Sequence, residues 1–349
     1  VLLPLLPPPG SAEVVLNITG GTKAFLAGLL LVYPWTTLDY RAKNKRHLHS
    51  VRFDGGHNRA PTLGDERWLP IPDLPPMALA KLQAETATQL PLNALISRQP
   101  LATLALAEQL WQGELTQDTA LDYLLSQLEL LWVKQAEEKE TKVAHRWLPW
   151  PPEPAARTDL IDGWLTPLAS IAARTSLLWD ERGIRVVGNS AKGKKDPLRR
   201  WLSGAWLEQL AEHWLLCAGV PASAIARNVV RSSEKGESSS AREADLLVLF
   251  NCQATVVEAK ADLPRGTAAK SMEEQLSSLG DLFGSTRKVL LIGPRLLAGL
   301  NDKGRKNLET RLRSNNGAQL CIDRESLLKA IDPTLIQALT PSAGGDSGR

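Results

Sequence analysis

Two charged residues, Glu258 and Lys260, stand two positions apart at the end of an apolar, β-branched stretch, ATVVEAK (254–260). Successive side chains of a β-strand point to opposite faces, so the carboxylate and the ammonium are expected to share one face, with Ala259 on the other. An acid and a base at a strand end often form only a solvated ion pair. Whether this pair does chemistry depends on the residues that neighbouring elements place beside it.

Asp245 supplies a second carboxylate. It begins the apolar stretch DLLVLF (245–250), which the turn NCQ (251–253) joins to ATVVEAK, and this pattern predicts a β-hairpin. In a hairpin the start of one strand faces the end of the other, so Asp245 becomes a cross-strand neighbour of Glu258. Two carboxylates that close can share one divalent cation, which activates a water and neutralises a scissile phosphate. Lys260 then positions the water or stabilises the developing charge.

Glu208 adds a possible third carboxylate, on a predicted helix that precedes the hairpin. Its same-face neighbours, Gly204, Ala211 and Leu215, are small or apolar and suit a helix that packs on a sheet. A carboxylate on such a face is costly to bury without a metal or hydrogen-bond partners. Pairing with a basic residue, or plain turn chemistry at Asp245, would explain each acid singly, but the combined order favours a metal-dependent hydrolytic site.

Residues 180–295 resemble the PD-(D/E)xK nuclease superfamily in the order helix-Glu, strand-Asp, strand-Glu-x-Lys, helix, strand. The resemblance implies that the backbone carbonyl of Ala259 is a third metal ligand beside the two strand carboxylates, and that Gln275 lies near the site. The side chains to which it gives catalytic roles are Glu208, Asp245, Glu258 and Lys260, of which Asp245 and Glu258 bind the metal.

A Gly-rich motif, NITGGTKA (17–24), joins a predicted strand (13–18) to a predicted apolar helix (23–35). Its two glycines allow close approach of a ligand, and the amides at a following helix N-terminus suit a phosphate. The motif is neither a Walker A loop nor a GxGxxG fingerprint. From the residues alone, a nucleotide or phosphate site and an ordinary tight strand–helix turn are equally good interpretations.

With the hairpin-like stretch LDYRAKNKRHLH (38–49) after it, this loop resembles the CARF domain of CRISPR-associated effectors. CARF followed by PD-(D/E)xK is the arrangement of the Can/Card-type ancillary nucleases of type III CRISPR systems, which cyclic oligoadenylate activates. The resemblance implies a homodimeric, Rossmann-like sensor that binds cyclic tetra-adenylate across its two-fold axis, with Asn17 bracing the loop. The residues implied to hold the ligand are Thr19, Gly20, Gly21, Thr22 and Lys23.

Family members normally carry several dozen residues before this loop, whereas sixteen precede Asn17 here. The resemblance therefore implies a CARF part that is shortened at its N-terminus, or one whose first segment is missing from this sequence.

The overall pattern predicts an α/β protein with four parts. Residues 1–74 are a partial, Rossmann-like CARF domain, and 75–158 are a helical bridging segment that ends in a Pro- and Trp-rich linker (145–158). Residues 159–340 are a restriction-endonuclease-like α/β domain with a mixed sheet, and 341–349 are a disordered tail. Within these parts, helical periodicity is expected throughout 75–143 and again over 159–178.

Composition excludes several other classes of protein. The chain of 349 residues is 43% hydrophobic and 23% charged, which is typical of a folded soluble protein, and a net charge of +3 permits a nucleic-acid partner without requiring one. Three cysteines without a CxxC pair, and five histidines without HExxH spacing, argue against disulfide frameworks and zinc sites. Prolines interrupt the apolar N-terminus, so we expect a cytoplasmic protein without a membrane partner.

The leading hypothesis is a Mg²⁺- or Mn²⁺-dependent endonuclease that cuts RNA and/or DNA and is activated by cyclic oligoadenylate in antiviral defence. Two alternatives stay open: a restriction- or repair-type DNA nuclease without ligand control, and a non-catalytic CARF-type nucleotide-binding regulator. A basic cluster before the Glu208 helix either guides the nucleic-acid backbone or is simply a solvated loop. Its members are Lys192, Lys194, Lys195, Arg199 and Arg200.

Overall fold

The structure is a computed structural model that divides into two compact units, Val1–Leu74 with Leu249–Gln253, and Pro75–Val248 with Ala254–Arg349. In residues 1–74 it describes five short strands. Beyond them it describes residues 75–83, 87–137, 147–172, 176–187, 197–231, 242–251, 253–261, 286–300, 302–314 and 318–337.

The strands of the N-terminal part form one sheet. They are β1 (Val15–Asn17), β2 (Thr37–Arg41), β3 (His47–Arg52), β4 (Thr62–Leu63) and β5 (Arg67–Trp68). β1 pairs with β2 in parallel, and β3 pairs antiparallel with β2, β4 and β5. Because parallel strands need a crossover connection, the β1–β2 pair agrees with the predicted α/β unit, and β2–β3 is the predicted hairpin. The Gly-rich loop and the predicted helix 23–35 lie outside the described residues.

A six-stranded mixed sheet forms the centre of the second unit, with the order β14-β13-β12-β11-β10-β6. β10 runs antiparallel to β6 and β11, whereas β13 runs parallel to β12 and β14. This arrangement confirms the predicted mixed sheet. The strands of this unit are β6 (Ala87–Gln89), β7 (Trp147–Leu148), β8 (Ser176–Asp180), β9 (Gly183–Val187), β10 (Ile225–Arg231), β11 (Arg242–Phe250), β12 (Gln253–Lys260), β13 (Arg287–Ile292) and β14 (Gln319–Cys321).

Helices cover this sheet. The α-helices are α1 (Pro76–Gln83), α2 (Ala94–Arg98), α3 (Pro100–Leu115), α4 (Thr119–Glu137), α5 (Pro154–Leu160), α6 (Thr166–Ile171), α7 (Pro197–Arg200), α8 (Trp206–Cys217), α9 (Pro294–Gly299), α10 (Asp302–Ser314), α11 (Arg324–Ile331) and α12 (Thr334–Gln337). π-helical turns at Ile161–Leu165 and Trp201–Ala205 join α5 to α6 and α7 to α8, and a 3₁₀ turn, Ala222–Ala224, precedes β10. None of the helices within the described ranges is long and apolar enough to cross a membrane.

The two central strands are apolar along most of their length. Val256 and Val257 of β12 and Leu290 and Leu291 of β13 are fully shielded from solvent. Successive residues of a strand face opposite sides, so burial of consecutive residues means that both faces of the sheet are covered. A charged residue near the end of β12 is therefore held by a rigid, buried support.

Helix α8 is fixed against α3 by both polar and aromatic contacts. Gln209 Nε2 donates hydrogen bonds of 3.0 Å to Thr103 Oγ1 and to the carbonyl of Pro100. Trp111 and Trp214 pack edge to face, with ring centroids 4.9 Å apart. These contacts fix the position of Glu208, which lies in the first turn of α8.

The helical prediction for 75–143 is wrong at β6, and the stretch predicted as a linker, 145–158, contains β7 and the start of α5. β6 pairs with the edge strand β10, and β7 pairs with β9. Strands of two or three residues are too short to show a period-two pattern, so helical periodicity around them dominates the sequence.

The helix predicted over 159–178 ends earlier, at Ile171. Its last residues form β8, which pairs antiparallel with β9 along their whole length, from Ser176 opposite Val187 to Asp180 opposite Gly183. The apolar run SLLW is compatible with either helix or strand, and the cross-strand pairs of this hairpin decide between them.

Gly113 allows close packing of α3, and its replacement by alanine is expected to destabilise the protein. An added Cβ would lie 2.7 Å from Trp164 Cζ2 and 2.8 Å from Leu121 Cδ2, so the free energy of unfolding should fall by about 1–3 kcal/mol. Thermal or urea denaturation measures this change. Gly163→Ala is the matched control because nothing lies within 4 Å of its Cβ position. Equal stability of the two variants would contradict this packing.

Candidate active site

The predicted hairpin is present and brings Asp245 to the end of β12. A two-residue connection joins β11 to β12, which is too short for a parallel pair. The backbone N–H of Ala259 donates a hydrogen bond of 2.8 Å to Asp245 Oδ2. This bond orients the Asp245 carboxylate beside the Glu258–Lys260 pair.

Glu258 and Lys260 form a partly buried ion pair on one face of β12. Lys260 Nζ lies 2.5 Å from Glu258 Oε1, and the Glu258 side chain is only 7% exposed. The second oxygen of Glu258, Oε2, is buried and has no hydrogen-bond partner within the described part of the chain. An ionised oxygen in that position is costly unless a cation or a donor from a ligand reaches it.

Glu208 belongs to the same electrostatic cluster. Burial, together with the negative charges of Glu243 and Glu258, raises the pKa of Glu208 to about 7, while Arg200 and Lys260 oppose this shift. These electrostatic interactions show that α8 brings the Glu208 carboxylate close to β11 and β12, as the sequence predicts.

The two strand carboxylates are shifted in the same direction. Burial and the charges of Glu258 and Glu208 raise the pKa of Asp245 well above its usual range, although Lys260 and the Ala259 amide oppose this. Burial also raises the pKa of Glu258 against the effect of Lys260. Burial lowers the pKa of Lys260, but the surrounding carboxylates outweigh it, so the net shift is upward. Lys260 therefore offsets only part of the negative charge of these carboxylates.

Two further residues of the cluster, Glu243 and Asn228, were not predicted as site residues, whereas Arg200 belongs to the predicted basic cluster. Glu243 stands two positions before Asp245 on β11, and a guanidinium nitrogen of Arg200 lies 3.6 Å from its Oε1. Asn228 of β10 is buried and lies against Glu208 and Glu243. The spacing of Glu243 and Asp245 is a sequence pattern that predicts a shared strand face, whereas no pattern points to Asn228.

These residues fit a hard divalent cation. In the described ranges, no group of three or more His, Cys, Asp or Glu side chains forms a ready metal cage. Mg²⁺, however, usually takes one or two carboxylates and keeps several waters. The buried Oε2 of Glu258, which has no hydrogen-bond partner among the described residues, suits such a cation.

Most of the other predicted residues lie outside the described part of the chain. Asn17 ends β1, where its backbone pairs with Asp39. The rest of the predicted ligand loop, Thr19, Gly20, Gly21, Thr22 and Lys23, lies outside the described residues, as do Gln275, Lys192, Lys194 and Lys195. Arg200 is the member of the predicted basic cluster that the structure brings to the carboxylates.

No known family model matches this sequence, and no curated protein sequence matches it. Two solved structures have a similar fold. Protein VC1899 from Vibrio cholerae is 19% identical, with a TM-score of 0.56, and the match covers 94% of this chain and 76% of that one. Can2 from Sulfobacillus thermosulfidooxidans, solved in complex with cyclic tetra-adenylate, is 13% identical, with a TM-score of 0.57 and coverage of 92% and 75%.

This chain shares the Can2 fold. The predicted α/β class and the predicted resemblance to Can-type proteins are thereby confirmed at the level of fold. Identities below 20% carry no residue-level assignment, so the chemistry of the site has to be argued from its own geometry.

The pKa shifts predict an unusual dependence of stability on pH in metal-free buffer. Glu208 holds its proton more tightly in the folded state than in the unfolded state, so stability is present below about pH 4.5 and is lost as the pH rises towards about 7. Asp245 and Glu258 shift in the same direction. Thermal melting in a chelator across this window should therefore show a falling midpoint.

Glu208→Gln is expected to reduce this fall, because an amide at that position does not titrate. Glu309→Gln, on the surface of α10 where Glu309 pairs with Arg305, is the control and should keep the wild-type profile. A midpoint that rises with pH across this window, or a wild-type slope in Glu208→Gln, would contradict the assigned cluster.

Proposed function

We propose that this protein is a metal-dependent endonuclease of the PD-(D/E)xK type that hydrolyses phosphodiester bonds of RNA and/or DNA. The observation that carries the proposal is the convergence of Asp245, Glu258 and Lys260 at one end of a buried hairpin. Two carboxylates with an adjacent ammonium are the set that a metal-assisted phosphodiester hydrolysis needs.

The hydrogen bonds indicate which oxygens would hold the cation. Asp245 Oδ2 accepts from the Ala259 amide and Glu258 Oε1 accepts from Lys260, so Asp245 Oδ1 and Glu258 Oε2 are the oxygens offered to Mg²⁺ or Mn²⁺. The carbonyl of Ala259 would be the third protein ligand, as the family resemblance implies. When bound, the cation would lower the pKa of a water and offset charge on the scissile phosphate.

The remaining residues act on the water and on the substrate. Lys260 is three-quarters buried and carries its ammonium beside Glu258, where it can orient a water or stabilise charge on a phosphate oxygen. Glu208 adds a carboxylate that can hold a proton near neutral pH. Arg200 is 41% exposed at the edge of the cluster and can contact the nucleic-acid backbone.

Substitutions at the strand carboxylates test the chemistry. Glu258→Gln and Asp245→Asn keep the side-chain shape but remove the charge that holds the cation, so Mn²⁺-dependent cleavage of labelled RNA or DNA should fall by about 100-fold or more. Glu309→Gln should cleave like the wild type. Cleavage that survives Glu258→Gln and Lys260→Ala would show that the reaction takes place elsewhere.

We further propose that cyclic oligoadenylate controls this activity. The support is the Can2 fold, since Can2 itself was solved with cyclic tetra-adenylate, together with the NITGGTK motif after β1. In this proposal a homodimer binds the ligand through Asn17, Thr19, Gly20, Gly21, Thr22 and Lys23.

The regulatory proposal is tested by cleavage with and without cyclic tetra-adenylate. We expect cleavage only with the ligand, and we expect Lys23→Ala to weaken binding of labelled ligand by about tenfold, because one charge-assisted phosphate contact is lost. Light scattering reports the dimer. Ligand-independent cleavage without binding would favour an unregulated restriction- or repair-type nuclease. Binding without cleavage would favour a non-catalytic regulator.

A further inference from the structure

Asn228 has an uncommon backbone conformation at the centre of the site. It lies within β10, is only 4% exposed, and has a φ angle of +50°. Left-handed backbone is rare for residues other than glycine, and asparagine tolerates it better than most. Such conformations persist where the surrounding structure fixes them, and they cluster at functional sites.

The register of the sheet places Asn228 level with a proposed metal ligand. Arg227 pairs with Leu246 and Val229 pairs with Ala244 on β11, so Asn228 stands opposite Asp245. The ladder skips this position, because the left-handed backbone turns the residue out of the regular pairing. The regular pairing of β10 with β11 is thus interrupted at the point where β11 presents its carboxylate.

The amide of Asn228 touches two carboxylates that come from different elements. Its terminal amide group lies 3.2 Å from Glu243 Oε1 and 3.3 Å from Glu208 Oε2. Ionised carboxylates only accept hydrogen bonds, so the atom facing them must be the donor, Nδ2. One amide therefore joins the first turn of α8 to the start of β11.

We propose that Asn228 is a positioning residue for this nuclease site. Its amide holds the Glu208 and Glu243 carboxylates at a fixed separation next to Asp245, so that the cation and the attacking water meet a preorganised set of oxygens. The inference deepens the proposed function and rests on it. It assigns Asn228 an effect on metal binding and on the rate of the chemical step, with nucleic-acid binding unaffected.

The position needs two properties that asparagine combines. Glycine accepts the left-handed backbone but has no donor. Aspartate has the same shape and also tolerates this conformation, but it presents a carboxylate to two other carboxylates. Asn228→Gly and Asn228→Asp therefore separate the amide from the backbone conformation.

A matched control is available at another left-handed asparagine. Asn251, with a φ angle of +47°, lies in the turn between β11 and β12, at the opposite end of β11 from Glu243. Asn251→Gly makes the same exchange of side chain and backbone freedom there. It controls for the general effect of placing glycine in a left-handed position near this hairpin.

The test uses the full-length protein and two readouts. Mn²⁺ binding is measured by calorimetry, and cleavage of a labelled nucleic acid is measured as kcat and KM over a range of Mn²⁺ concentrations. We expect both Asn228 variants to fold but to melt below the wild type, because the buried amide that joins two carboxylates is lost. They should need about tenfold more Mn²⁺ for half-saturation and lose about tenfold in kcat, with KM unchanged. Asn251→Gly should match the wild type.

Each outcome has a distinct meaning. Wild-type Mn²⁺ binding and kcat in both Asn228 variants, alongside an active wild type, would overturn this inference and leave the proposed function standing. A lower melting temperature with unchanged Mn²⁺ dependence in the folded fraction would likewise reduce Asn228 to a structural residue. A wild-type protein that neither binds Mn²⁺ nor cleaves would overturn the proposed function and this inference together.

Discussion

Mutual repulsion among three carboxylates, one buried and two half-buried, is the constraint on which the site depends. Glu208, Asp245 and Glu258 come from one helix and two strands, yet their negative charges interact. The charge of Glu258 raises the pKa of both Glu208 and Asp245. Lys260 compensates only part of this charge, and partial burial limits how far water can compensate the rest. A fold that holds such a cluster either keeps protons on it or binds a cation, and in the proposed function that cation is divalent and supports hydrolysis.

The elements that carry these carboxylates are held in place by extensive packing. The paired strands β12 and β13 are covered on both faces, and α8 is fixed on α3 by the Gln209 hydrogen bonds and the Trp111–Trp214 contact. The acidic groups are carried on these rigid elements rather than on loops. Rigidity of this kind preorganises charged groups before a substrate arrives, which is how electrostatic stabilisation of a transition state is achieved.

The sequence predicts which residues meet at the centre of the candidate site, but not all of those around them. Glu258, Lys260 and Asp245 could be brought together from strand alternation and a short turn, because both are local rules. Asn228 could not be found this way, since its role depends on the register between β10 and β11 and on a left-handed φ angle. The strands β6 and β7 were missed because they are too short to carry periodicity. β8 was assigned to helix because its apolar run is compatible with either element. Its pairing with β9 makes it a strand.

The most direct test of this account is an anomalous diffraction map of crystals grown with Mn²⁺. The account predicts a metal peak between Asp245 Oδ1 and Glu258 Oε2, at roughly 2.1 Å from each, with the Ala259 carbonyl as a further ligand. A Mn²⁺ ion bound elsewhere, or no peak beside these two carboxylates at saturating metal, would contradict it.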